Sequence, residues 1–229
     1  MKKLIIIIIC ALFIISCRLI TEGLTDKEIV RIKSNFTIEE LDYFTDVVFN
    51  SDFSNKNTKL KRWKKNIGVS MIGSYTSEDS IYISDVFKII NNNIEKIRIE
   101  YASENKADLK IHFIDYKEFS GFNENAVLAK NGYFNCKWNI LEGIAEGYIL
   151  INKELEGDGR KRVIKEEITQ SLGLPADSYK YPSSIFYQLM SENHTYADID
   201  MKLIQLLYNY NLPIGMTEQE FKDIFLKDE

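Results

Sequence analysis

The N-terminal segment constrains this chain more than any other feature. A basic start at Met1–Lys3 precedes an uninterrupted apolar run from Leu4 to Ile15. A charged start followed by a short apolar run is typical of secretory signal peptides. A helix of twelve residues covers about 18 Å, whereas the hydrocarbon core of a bilayer is roughly 30 Å thick. The run therefore predicts export of the chain and is too short for a stable transmembrane span.

The end of this run carries a second signal. Ile14-Ile15-Ser16-Cys17 resembles the bacterial lipobox, in which small or branched residues precede an obligatory cysteine. The resemblance implies that residues 1–16 are removed and that the Cys17 thiol is lipidated, so that the lipid holds the protein to a membrane. Arg18 follows, and resemblance to known sorting signals implies the outer membrane, facing the periplasm or the cell exterior. An ordinary signal peptide followed by an unrelated cysteine is the alternative.

The cysteine count limits how the exported part is stabilised. With Cys10 removed and Cys17 lipidated, only Cys136 remains, so we expect no internal disulfide. The remaining 213 of 229 residues are enough to bury a core of their own. We predict a lipidated tether and linker over residues 17–35, containing a short helix, and one domain over residues 36–229.

The charge balance argues against nucleic acid as a partner. Removal of two lysines leaves 27 basic and 34 acidic residues and changes the net charge from −5 to −7. Nucleic-acid-binding domains carry clustered basic surfaces. The one basic run, Lys59–Lys65, includes a tryptophan and is interpreted as a solvated segment that leads into a strand.

The apolar periodicity predicts an α+β domain. The predicted helices begin after Thr37, span Ser77–Asn93, Arg160–Leu172 and Asp198–Tyr208, and follow Thr217. The predicted strands are Ile67–Ile72, Ile97–Tyr101, Leu109–Ile114 and Gly147–Asn152. No period is evident between Tyr116 and Trp138, which is predicted to be irregular.

The segment Val163–Leu174 carries the most specific pattern. Its Glu-Glu-x-x-Gln-x-x-Gly resembles the active-site helix of metzincin-type zinc proteases, His-Glu-x-x-His-x-x-Gly-x-x-His, with both helix histidines replaced. Glu166 and Gln170 stand at the histidine positions, and Glu167 stands at the position of the catalytic glutamate. The third ligand position falls on Ala176, with Asp177 beside it.

Two later segments extend the resemblance. Ser184-Ile185-Phe186 resembles the Met-turn, with phenylalanine in the place of methionine, and Tyr196–Tyr208 resembles the helix after that turn. The resemblance implies a zincin-like fold: a mixed twisted sheet with a backing helix, a degenerate active-site helix and a helical C-terminal part. Residues 60–220 also resemble a family of uncharacterised bacterial envelope proteins with the same variant motif.

The donor set does not favour zinc. Catalytic zinc sites use three protein ligands, most often nitrogen, and the two histidines outside the signal, His112 and His194, lie away from the motif. Oxygen donors from Glu166, Gln170 and Asp177 suit calcium or magnesium better. We therefore expect no tightly bound zinc and no cofactor, and a mutual hydrogen bond between Glu166 and Gln170.

Three functions are compatible with these residues. The first is an envelope-anchored, non-catalytic binding or structural module with a protein or peptide partner. The second is a hydrolase that uses Glu167 as general base with a non-zinc metal or none. The third is a lipoprotein that has no site and uses its surface for assembly, in which case both glutamates are ordinary solvated residues.

Other candidate residues receive simpler interpretations. A serine triad of Ser183, His194 and Asp198 is compatible by residue type only, because no Gly-x-Ser-x-Gly elbow is present. Cys136 is interpreted as a buried apolar residue. His112 is interpreted as a solvent-facing strand residue, and we expect Phe186 to pack in the core under the motif helix.

Overall fold

A computed structural model describes residues 24–50, 59–189 and 195–227. The predicted signal peptide, Cys17 and His194 lie outside the described residues. Within these ranges the helices are α1 (Asp26–Asn35), α2 (Ile38–Phe49), α3 (Ser77–Asn93), α4 (Gly157–Gln170), α5 (Asp198–Asn209) and α6 (Glu218–Phe225). The strands are β1 (Ile67–Gly73), β2 (Ile99–Tyr101), β3 (Leu109–Ile114), β4 (Gly132–Asn139) and β5 (Gly143–Asn152).

Three helices begin where the sequence provides a capping box. The hydroxyls of Thr37, Thr76 and Thr217 accept hydrogen bonds from the first turns of α2, α3 and α6. The acidic residue three positions later accepts from the backbone amide of each threonine. Such reciprocal bonds satisfy amides that a helix start leaves without partners. The predicted starts of these helices are confirmed.

The five strands form one mixed sheet in the order β2-β1-β3-β5-β4. Strands β2, β1, β3 and β5 run parallel to one another, and β4 pairs antiparallel with β5 at one edge. In the centre, Ile111 of β3 lies opposite Met71 of β1 and Ile149 of β5. The predicted α+β class is confirmed at this level.

Strand β4 corrects the prediction that residues 116–138 are irregular. Short 3-10 segments span Tyr116–Gly121 and Glu124–Leu128, and β4 follows. Its period is hard to detect because aromatic residues lie on both of its faces and a bulge separates Lys137 from Trp138. Helix α4 also starts earlier than predicted, at Gly157, where a turn was expected.

The main core lies between the helices and one face of the sheet. A smaller apolar cluster on the other face includes Phe119, Tyr133 and Leu150. Helix α1, in the segment predicted as tether and linker, buries Ile32, and Asn35 donates a hydrogen bond to the Tyr210 hydroxyl. Among the described residues, no helix is both long and apolar enough to cross a membrane.

Candidate functional site

A cleft of about 360 Å³ separates helix α4 from strand β4. The motif residues Glu166, Glu167 and Gln170 line one wall together with Asp177, and β4 from Gly132 to Trp138 provides the other. The resemblance to the metzincin motif implied that these four side chains form one site. The structure places all four at one cleft.

Glu167 and Gly132 form the closest approach between the two walls. Glu167 is buried, with 6% of its surface exposed. A Cβ added to Gly132 would lie 2.5 Å from Glu167 Oε1 and 2.6 Å from Val163 Cγ1. Real carbon atoms do not approach this closely, so the absence of a side chain at position 132 allows the strand to contact the helix. The Glu167 carboxylate is therefore packed against the backbone of β4.

The other polar side chains of the motif pair with neighbours in the cleft wall. Arg162 Nε lies 3.7 Å from Glu166 Oε2, one turn away on the same helix. Gln170 Nε2 donates to Asp177 Oδ1 at 3.4 Å. Both side chains are thus tied to the cleft wall, and the predicted mutual bond between Glu166 and Gln170 stays a prediction.

The residues of the cleft do not fit a zinc ion. Within residues 24–50, 59–189 and 195–227, no three His, Cys, Asp or Glu side chains are grouped so that they could hold a metal. The Gln170 amide directs its NH₂ group, which is not a metal ligand, at Asp177. His112 lies on β3, in a different cleft. The donor set of the motif is thus unlike a catalytic zinc site.

The predicted turn lies buried beneath the helices. Ser184 Oγ donates to Asp200 Oδ1 at 2.5 Å, and it accepts from the Tyr43 hydroxyl at 2.8 Å and from the Phe186 amide at 3.0 Å. Phe186 is fully buried, as predicted. The amides of Ile185 and Ala197 also donate to Asp200. Burial raises the pKa of Asp200, although these donors oppose that effect.

The sequence interpretation missed Tyr43 and Asp200 as partners of the turn. Asp200 stands at the third position of helix α5, where an acidic residue accepts from the backbone before the helix. That position was visible in the sequence as a helix start with two aspartates. Tyr43 had no such signal, because it lies 141 residues from Ser184.

A buried ion pair holds the first turn of α4. Arg160 donates to both carboxylate oxygens of Asp79 at 2.8 Å, and its NH1 donates to the carbonyls of Lys153 and Leu155. Burial raises the pKa of Asp79, but the hydrogen bonds from Arg160 and Thr76 outweigh burial and lower it. This pair joins the first turn of α4 to the start of α3 and fixes the position at which the motif helix begins.

The other end of α4 is bound by the segment before β1. Trp63 Nε1 donates to the Ser171 carbonyl at 2.8 Å, and the Tyr208 hydroxyl donates to the Leu172 carbonyl at 2.7 Å. Gly173 has φ of +112°, and a Cβ there would lie 2.1 Å from the Lys61 carbonyl oxygen. Only glycine suits this combination of conformation and close approach. The motif helix is therefore fixed at both ends.

Lys165 lies on the side of α4 away from the cleft. Only 2% of it is exposed, and its Nζ lies 5.4 Å from the centre of the Tyr196 ring. The Tyr196 hydroxyl bonds to Thr169 Oγ1, which in turn donates to the Lys165 carbonyl. Burial lowers the pKa of Lys165, and the Asp200 carboxylate acts in the opposite direction. The sequence did not single out this lysine.

Cys136 faces the edge of the cleft and is half-buried. Burial raises the pKa of its thiol, although Lys61 lowers it, so the structure does not favour a reactive thiolate. Of the serine triad considered from the sequence, His194 lies outside the described residues.

Comparison with known proteins gives a family and a distant likeness. The family described as "Protein of unknown function (DUF2927)" matches residues 39–227. Two structures of myroilysin are similar at 11% identity, with TM-scores of 0.40 and 0.39. The first match spans 65% of this chain and 82% of the myroilysin chain, and the second spans 71% of this chain and 91% of the myroilysin chain. That likeness is too distant to carry an argument. No curated protein matches the sequence.

Proposed function

Because this chain belongs to the DUF2927 family of proteins of unknown function, we propose its function from the cleft itself: a zincin-like domain that binds an extended peptide without cleaving it. The observation that carries the proposal is the position of β4. This strand is an edge of the described sheet, and it also forms one wall of the cleft. The backbone groups of an edge strand pair readily with an added extended chain.

The charges in the cleft select the peptide. Glu166, Glu167 and Asp177 line it, while Arg162 pairs with Glu166 and Lys61 lies over the Trp138 ring. Acidic walls favour a basic side chain in the bound peptide through charge complementarity. The partner in this proposal is an extended segment with a lysine or arginine at its centre.

A peptide array tests this proposal directly. The full chain is exposed to extended heptapeptides that differ only in a basic, neutral or acidic central residue. We expect the basic series to bind at least about tenfold more tightly, and Asp177→Lys to abolish that preference. Glu104→Lys, at an exposed position on a 3-10 turn, is the matched control. Equal binding of the three series, or none, would overturn the proposal.

The absence of zinc chemistry is part of the same proposal. Elemental analysis of the purified full chain should find zinc well below one equivalent, because the cleft lacks nitrogen and sulfur ligands in a suitable set. Stoichiometric zinc that survives dialysis against a mild chelator would contradict this. Histidines at positions 166 and 170 need not restore binding, since the third ligand and its supporting hydrogen bonds are missing.

The proposed location is the cell envelope, with a lipid on Cys17. Each acyl CH₂ group buried in a membrane contributes about 0.8 kcal/mol, so two or three chains anchor a protein stably. Fractionation of Cys17→Ala is the test, and we expect this variant to leave the membrane fraction. If it remains as membrane-bound as the wild type, the lipid anchor is wrong. The outer membrane is proposed from Arg18 and is tested by separating the two membranes.

A second candidate function is a hydrolase with Glu167 as general base. The observation in its favour is the placement of this carboxylate in a cleft that could hold a peptide. Peptides captured on the array are incubated with the chain and analysed by mass spectrometry. Cleavage that Glu167→Gln abolishes would establish the hydrolase, whereas intact peptides support the binding module.

A further inference from the structure

A second and larger cleft, of about 470 Å³, lies on the opposite face of the sheet from α4. Along β3, Leu109, Ile111 and Phe113 are buried in the main core. Successive side chains of a strand point to opposite faces, so Lys110 and His112 project from the other face. We call this cleft the outer groove. His112, predicted to face solvent, is half-buried in it.

Aromatic rings form one wall of the outer groove. The Phe122 ring lies 4.9 Å from the His112 ring and 5.4 Å from the Tyr148 ring. Phe122 is nevertheless 43% exposed, although a phenylalanine gains free energy from burial. An aromatic surface held open beside polar groups is typical of small-molecule sites.

The charged residues that line the outer groove, Lys110, Lys137, Asp108 and Glu146, differ in how they are paired. Lys137 pairs with Glu146, and Lys65 pairs with Asp108 at 2.6 Å. The Lys110 side chain, by contrast, forms no hydrogen bond or ion pair with any residue that the structure describes. It lies beside His112 on the floor of the groove. Its charge reaches the Glu146 carboxylate only at a distance, where it adds to Lys137 in lowering the pKa of Glu146. The groove therefore offers one cation that has no direct ion pair within the described part of the chain.

We propose that the outer groove binds a sugar ring that carries a carboxylate. The carboxylate contacts Lys110 and His112, and the apolar face of the ring packs on Phe122 and Tyr148. Asn123 and Asn135 also line the groove. The Asn135 amide donates to the Tyr133 and Tyr148 hydroxyls, and Asn123 Oδ1 accepts from the Asn125 backbone amide. A volume of about 470 Å³ accommodates one or two such rings. The outer groove shares Asn135 and Cys136 of β4 with the α4 cleft, but the proposal uses the residues of β3, Phe122 and Tyr148 and does not depend on peptide binding.

A matched pair of sugars tests the charge requirement. Methyl β-D-glucuronide and methyl β-D-glucoside share one ring and differ only at the carboxylate. Each is titrated into the full chain and followed by the NMR signals of the His112 imidazole. We expect the glucuronide to bind about tenfold more tightly, since a charge-assisted hydrogen bond is roughly twice as strong as a neutral one. Equal affinities, or no binding of either sugar, would overturn the proposal.

Substitutions in the groove locate the site. Lys110→Gln should lower the affinity for the glucuronide to about that for the glucoside, because it removes the charge and keeps the length of the side chain. Phe122→Ala should weaken both sugars by about fivefold. Lys88→Gln, an exposed lysine on α3, is the control and should change neither. A glucuronide that binds Lys110→Gln and Phe122→Ala as it binds the wild type occupies another site, and the proposal is then wrong.

Discussion

The α4 cleft and the outer groove lie on opposite faces of one sheet and differ in how their polar side chains are satisfied. At α4, Arg160 is bound by Asp79, and Gln170 donates to Asp177. In the outer groove, the Lys110 side chain has no hydrogen bond or ion pair with the described part of the chain, and Phe122 stays open to solvent. A polar group bound within the fold stabilises it, whereas one left open at a surface is available to a ligand.

This difference in pairing suggests different roles for the two regions. The motif residues are held by contacts within the fold. In the outer groove, the Lys110 side chain has no hydrogen bond or ion pair with the described residues, and the Phe122 ring stays partly exposed. Substitutions around α4 should therefore lower the free energy of unfolding, and substitutions in the outer groove should leave it nearly unchanged. Five predictions test this contrast, in order of expected size.

The largest effect is expected for Asp79→Asn. It leaves the buried Arg160 guanidinium without its carboxylate, which typically costs about 3–5 kcal/mol. Urea denaturation measures the loss. Asp85→Asn on the same helix removes an exposed partner of Lys88 and should change stability by less than about 1 kcal/mol. Similar losses in both variants would contradict a special role for the buried pair.

The same pair predicts a pH dependence. The pKa of Asp79 is lowered in the folded chain, so its contribution is complete above the pKa of the unfolded carboxyl. It is lost as the pH falls through the lower, folded-state pKa. The stability gap between wild type and Asp79→Asn should therefore narrow in acid, and a gap that widens as the pH falls would contradict this sign.

Gly132→Ala should give the second effect. The added Cβ would meet Glu167 and Val163 at distances below 3 Å, and overpacking of this kind costs about 1–3 kcal/mol. Gly121→Ala is the matched control, because nothing lies within 4 Å of a Cβ there. Combining Gly132→Ala with Glu167→Ala should cost less than the sum of the two, and strict additivity would argue against their contact.

Glu167 itself distinguishes a structural carboxylate from a catalytic one. If it is structural, Glu167→Ala and Glu167→Gln should each lower stability by about 1–3 kcal/mol, a shift of a few degrees in melting temperature. We expect this outcome. Unchanged or higher melting temperatures in both variants would favour the hydrolase, because active sites are often held at some cost to stability.

The smallest effects should come from the outer groove. Lys110→Gln and Phe122→Ala remove side chains that do little for the fold, so each should change stability by about 0.5 kcal/mol or less. Thermal melting in the absence of sugar measures this. A loss above about 2 kcal/mol in either variant would show that the groove is part of the core, and the contrast between the two faces would fail.

Local signals made much of the fold predictable. Capping threonines marked the starts of α2 and α6, the run Ser77–Asp79 marked the start of α3, and the alternation in β3 marked a strand with one buried face. Strand β4 was missed because a bulge and aromatic residues on both faces removed that alternation. The strand that forms a wall of the α4 cleft was therefore the one that periodicity could not reveal.

The site divides in the same way. The resemblance to the metzincin motif grouped Glu166, Glu167, Gln170 and Asp177, and the structure places them at one cleft. The ion pair that anchors the start of α4 was not predictable. Arg160 and Asp79 are 81 residues apart, and no local pattern around either residue identifies the other as its partner. The outer groove was not predictable either, because Phe122 contacts His112 of β3 only in the folded chain and no sequence pattern links the two residues.

The placement of the two tryptophans gives the chain two built-in optical reporters. Trp63 is fully buried, with its indole N–H bonded to the end of α4, and Trp138 lies at the α4 cleft beneath Lys61. Unfolding would move the Trp63 emission to longer wavelength, while a peptide in the cleft would change the Trp138 emission alone. Trp63→Phe and Trp138→Phe would assign each signal, so that folding and occupancy could be followed in one sample without a label.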